Sequence, residues 1–142
     1  MLDLDLSKEV GLALVSQSEG AAVTRFVVPA RAARGSGHLH GNYLYGLLDY
    51  AAFFTVVTVL RPDESAVTHD AHFTLLDPVP AGATVELVGS LDRRGRHIAF
   101  LSVDAWWVDG ASRRCVARAR ITKSIMAMQQ RTRARSTPGQ EG

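Results

Sequence analysis

The 142-residue chain is long enough for one domain with a real core, and 46% hydrophobic with 21% charged residues is an ordinary globular balance. Cys115 is the single cysteine, which excludes an intramolecular disulfide and makes a reducing compartment the default. The net charge of +2 is small, and no helix–turn–helix, zinc or RNA-binding signature points to nucleic acid.

The opening MLDLDLSKEV is acidic, unlike a signal peptide, so a cytoplasmic protein is expected. Gly11–Gln17 and Ala21–Val28 read as strands joined at the turn-like Ser18-Glu19-Gly20, and Pro29 ends the second. Ala30–Leu39, with Gly35, Ser36 and Gly37, reads as a loop. A long helix starts at Gly41 or Asn42 and stops before Arg61, because Pro62 disfavours helix at the preceding residue.

Ser65–Leu76 reads as a strand closed by Asp77-Pro78 and Pro80. In Thr84–Asp92, Val85, Leu87, Gly89 and Leu91 share one face. Arg93-Arg94-Gly95-Arg96 reads as the next turn. In His97–Val108 an apolar face runs through Ala99, Leu101, Val103, Ala105 and Trp107, and Asp109-Gly110 marks a further hairpin. Arg114–Lys123 alternates small residues with Arg and Val, so Cys115 reads as an inert core thiol. Strands without intervening helices argue for an α+β fold, with an antiparallel sheet of five to six strands curved around the apolar helix. Residues 1–128 make one domain, and 129–142 form a basic polar tail expected to be disordered.

Asp49 is the only charged residue from Gly41 to Leu60. A carboxylate in so apolar a helix must be paired, neutralised or used. Desolvation favours its neutral form, which suits a group that activates water. The same charge argues against a membrane span over Tyr43–Leu60, as do the amphipathic strands that follow. No Asp or Glu lies between Gly110 and Gln140, where Arg113, Arg114, Arg118, Arg120, Lys123, Arg131, Arg133 and Arg135 stand. That bias suits an anionic partner, or a solvated strand face with a basic tail. His38-x-His40 and His69-x-x-His72 do not make a convincing zinc set, since His69 and His72 should point to opposite strand faces.

The string HGNYLYGLLD resembles the helix-start motif of the PaaI-like acyl-CoA thioesterases of the hotdog fold, in which His-Gly-Gly opens the helix and an Asp follows nine positions after the His. AVTHDAHFTLLDPVPAG, DRRGRHIAFLSVDAW and RARITKS are similar to later family stretches, and the likeness runs from Gly11 to Ile125. It implies a homodimer, often paired into a homotetramer, that hydrolyses acyl-CoA with no cofactor or metal. By position, Asp49 matches the general base or nucleophile, and Gly41 the glycine whose N–H polarises the thioester carbonyl. Thr68 matches a residue that helps hold the attacking water, and His40 shapes the helix start. Two positions depart from the pattern. Asn42 replaces the second glycine, and Arg34 stands where many members carry an Asn that binds the carbonyl. His38 or Asn42 could supply a substitute donor. Arg93, Arg94, Arg96 and Lys123 fall in segments similar to those lining the nucleotide channel.

Hydrolysis needs an activated water and a donor aimed at the developing oxyanion. A helix N-terminus supplies unpaired N–H groups, and Gly41 has no side chain to block one. Gly41 and Asp49 are separated by roughly 12 Å along a helix, too far to share one thioester within a chain. A dimer with two composite sites is therefore expected. Two alternatives stay open: a non-catalytic acyl-CoA-binding or sensing protein on the same fold, and a hotdog dehydratase or hydratase that would need a His paired with an acid.

Overall fold

The computed structural model describes residues 10–33 and 35–128, so Arg34 and the basic tail lie outside the described residues. Helix α1 runs Gly41–Val56 and tightens into a 3-10 turn at Val57–Val59. Its buried residues, Leu44, Leu47, Leu48, Ala51, Ala52, Thr55 and Val56, recur at i, i+3, i+4, i+7 and i+8. That spacing is one face of an α-helix. Only this stripe is hidden, although the sequence reads as apolar on almost every side. The flank carrying Asn42, Asp49 and Phe53 stays accessible, with Phe53 43% exposed.

Six strands form one antiparallel sheet: β1 (Ala13–Ser18), β2 (Ala21–Val27), β3 (Glu64–Leu75), β4 (Thr84–Arg94), β5 (Ile98–Asp109) and β6 (Ser112–Ala127). Their spatial order is β1-β2-β4-β5-β6-β3. The helix packs on one face of this curved sheet, in the arrangement the resemblance implies. Val85, Leu87, Ala99, Leu101, Val103 and Ala105 face it and are buried, as their alternation requires. Gly89 marks the closest approach of helix to sheet. A Cβ there would lie 2.1 Å from Thr55 Oγ1 and 3.1 Å from the Ala51 carbonyl oxygen.

The β5–β6 hairpin turns through Gly110 and Ala111, with Gly110 at φ 59°. A type II′ turn needs such a residue first. The β4–β5 turn is shorter than the sequence suggests. Arg93 and Arg94 belong to β4, and only Gly95, Arg96 and His97 connect the strands. A register shift between Leu91 and Arg93 resets the alternation there. Strand β3 is twelve residues long and forms one edge of the sheet.

Candidate active site

The helix start is held from both sides. Leu39 N–H donates to the Val79 carbonyl at 2.7 Å and His40 N–H to the Ala32 carbonyl at 3.0 Å. His40 is the N-cap, with an extended backbone, and its Nδ1 accepts the Asn42 N–H at 3.1 Å. Asn42 is exposed at this entrance. The Gly41 N–H has no acceptor among the described residues. Gly41 lines a cavity of about 300 Å³ with His38, Leu39, Leu44, Leu75, Leu76 and Val79.

Two turns along the helix, Asp49 opens onto a second cavity of about 320 Å³, lined also by Tyr50, Phe53, Ala66, Val67, Thr68 and Lys123. None of the described residues lines both cavities. Thr68 donates its hydroxyl proton to Asp49 Oδ1 at 2.6 Å. Lys123 Nζ reaches the same oxygen at 3.3 Å and Thr68 Oγ1 at 3.0 Å. Thr68 and Lys123 are direct cross-strand partners on β3 and β6. The costly carboxylate is thus paired, and the Asp49 side chain is 35% exposed rather than sealed in the core. Thr68 has already committed its one proton to Asp49, so it can only accept from a water.

The four cations assigned to the nucleotide channel do not come together. Lys123 is no surface cation, because it is 3% exposed beneath Asp49. It follows Ala117, Ala119 and Ile121 on the buried phase of β6, a signal the alternation already held. Arg93 lies elsewhere, in a cavity with Asp70, His72, Asp92, Phe100 and Arg120. Arg94 and Arg96 share a cavity of about 640 Å³ with Arg61, Asp63, Glu64 and His97. There Arg94 Nη2 holds Glu64 Oε2 at 2.7 Å, and its Nη1 donates to the Val59 carbonyl. The Arg94 hydrogen bond, followed by the Arg61 backbone N–H, lowers the Glu64 pKa below its ordinary 4.5. Cys115 is only partly buried. Among the described residues no three His, Cys, Asp or Glu side chains cluster as a metal site, and no helix is long and apolar enough to cross a membrane.

Among the described residues, one long helix packed on a curved six-stranded antiparallel sheet is the hotdog arrangement. The chain belongs to the thioesterase superfamily, whose family model matches residues 36–113. Its likeness is to PaaI-like members. The PaaI protein of the Escherichia coli phenylacetic acid degradation operon superposes with a TM-score of 0.78 at 22% identity, over 87% of this chain and 85% of that one. A variant of the phenylacetic acid degradation protein PaaI from Thermus thermophilus gives 0.74 at 26% identity, over 84% and 97%. A hypothetical thioesterase from Streptococcus pneumoniae, solved with coenzyme A, gives 0.78 at 19% identity, over 88% and 94%. No curated protein matches the sequence.

Proposed function

We propose that the protein hydrolyses acyl-CoA thioesters at two composite sites of a homodimer. The observation that carries this is the paired Asp49 carboxylate facing a cavity that Gly41 of the same chain does not line. In each site Asp49 takes a proton from water as the water oxygen bonds the thioester carbon. The carbonyl electrons move to oxygen, where the N–H from Gly41 of the partner subunit stabilises the charge. Collapse re-forms the carbonyl and breaks the carbon–sulfur bond. The departing sulfur takes the proton held by Asp49, leaving free acid and CoA.

The β3 edge supports such a dimer. A long exposed edge strand invites pairing with another chain. Val67 and Leu75 on this edge are 40% and 45% exposed, and Leu76 just beyond is 49% exposed. Leu75 is also the side chain nearest a Cβ built on Gly41, at 3.2 Å. Antiparallel pairing of two β3 strands about Ala71 and His72 sets Leu75 of one chain opposite Thr68 of the other. That brings Gly41 toward the partner's Asp49. Homotetramer formation is a further expectation of the resemblance.

CoA as the carrier is favoured by the cationic rim of Arg61, Arg94 and Arg96, partly offset by Asp63 and Glu64. From Thr68 and Lys123 it is four residues along the β3–β6 ladder to Glu64 and Ala127, roughly 13 Å, a length a pantetheine arm can span. The related fold solved with coenzyme A points the same way.

The test is free-thiol release from a panel of acyl-CoA thioesters. Asp49→Asn is expected to lose about 10²–10⁴-fold in turnover, the worth of a general base. Near-wild-type turnover by that variant would remove Asp49 from the chemistry. Binding without turnover across the whole panel would favour an acyl-CoA-binding protein instead.

A further inference from the structure

Lys8 and Lys123 are the only lysines among sixteen Lys and Arg residues. One of the two stands where a lysine is most costly. Lys123 is 3% exposed, between the buried Ile121 and Ile125 on the inward phase of β6. An enclosed ammonium needs a partner that offsets its lost hydration. It has two, Thr68 Oγ1 at 3.0 Å and Asp49 Oδ1 at 3.3 Å. Thr68 donates to that same Oδ1, and none of the described residues donates to Oδ2. The pair is also lopsided in access, with side-chain exposure of 4% for Lys123 and 35% for Asp49. A ligand in the cavity can meet the carboxylate far more readily than the ammonium.

We infer that Lys123 is a positioning residue that fixes Oδ1 of an ionised Asp49, leaving Oδ2 as the oxygen that takes the proton from water. This rests on Asp49 acting as the base of thioester hydrolysis. Lysine suits the place better than the arginine this chain otherwise uses. A compact ammonium fits beneath Thr68, whereas a guanidinium fork would bring five N–H donors into a pocket with two acceptors. The titratable groups lining the cavity are Asp49, Tyr50 and Lys123, and on β3 the neighbours His69 and Asp70 are exposed. Among the described residues, Lys123 is therefore the one cation lining this cavity.

Lys123→Met and Lys123→Gln, compared with wild type on a thioester that wild type hydrolyses, separate the possibilities. The expected result is kcat lowered by about tenfold or more with KM changed less than about twofold, and the acidic limb of kcat/KM moved to higher pH. Unchanged kcat and pH profile overturn the inference. A raised KM with kcat and profile kept also overturns it, and makes Lys123 a substrate cation. A second measurement needs no turnover. Lys8→Arg leaves Lys123 as the only lysine, so lysine labelled with ¹³C at Cε gives a single side-chain resonance. That resonance is expected to shift on Asp49→Asn. Its indifference to Asp49 overturns the pairing even if wild type hydrolyses no thioester, a failure that by itself would count against the function and not against this contact.

Discussion

Gly41→Pro removes one hydrogen-bond donor at little structural cost. Gly41 is the first residue of α1, where proline is well tolerated because its missing N–H has no helical partner. The preceding His40 sits at φ −68° and ψ 134°, the extended conformation that a following proline prefers. No hydrogen bond is lost, since the Gly41 N–H has no acceptor among the described residues. The steric demand is a contact of 3.2 Å between a new Cβ and Leu75 Cδ1, the end of a side chain that is 45% exposed. Gly41→Ala makes the same contact but keeps the N–H, so the ratio of the two variants isolates the donor. Loss of one oxyanion donor is expected to lower kcat by about 10²–10³, or about 3–4 kcal/mol of transition-state stabilisation. Thiol-release kinetics give the ratio, and thermal melts confirm that both variants fold. Equal kcat for the proline and alanine variants would refute the role of the Gly41 N–H.

Two further outcomes test the packing and the acid side of the fold. Gly89→Ala forces a methyl into Thr55 and the Ala51 carbonyl, and is expected to destabilise by about 1–3 kcal/mol or more, read as a lower urea midpoint. Glu64, with its pKa lowered by Arg94, stabilises the fold above its ordinary value of 4.5 and loses that contribution as pH falls through its lower folded value. Wild type is therefore expected to exceed Glu64→Gln in Tm at pH 7, with the gap closing as the pH drops below 4.5.

The helix and strands were legible because their buried residues keep strict periods. Leu44, Leu47, Leu48, Ala51 and Ala52 repeat as a helix face, and Ala99, Leu101, Val103 and Ala105 as a strand face. The separation of Gly41 from Asp49 was equally legible, since helical rise alone fixes it. That Arg93 and Arg94 continue the strand and line different cavities was not, because a bulge after Leu91 resets the alternation and no local residue announces it. The Glu64–Arg94 pair joins positions thirty residues apart and leaves no local pattern. Lys123 was a different case. Its inward phase on β6 was readable, but a lone lysine in an arginine-rich segment looked like surface charge. Only the fold sets it against Asp49, seventy-four residues away.

Mixed dimers of the two disabled chains test the composite site most directly. Gly41→Pro and Asp49→Asn proteins, each nearly inactive, are unfolded together, refolded as a mixture and assayed for thiol release. If Gly41 and Asp49 act across subunits, each hybrid dimer regains one intact site, and a random mixture recovers about a quarter of wild-type activity, since half of its dimers are hybrids with one working site of two. If both residues serve a site within one chain, no hybrid contains an intact pair. Activity that stays at the level of the parent variants would then contradict the composite site.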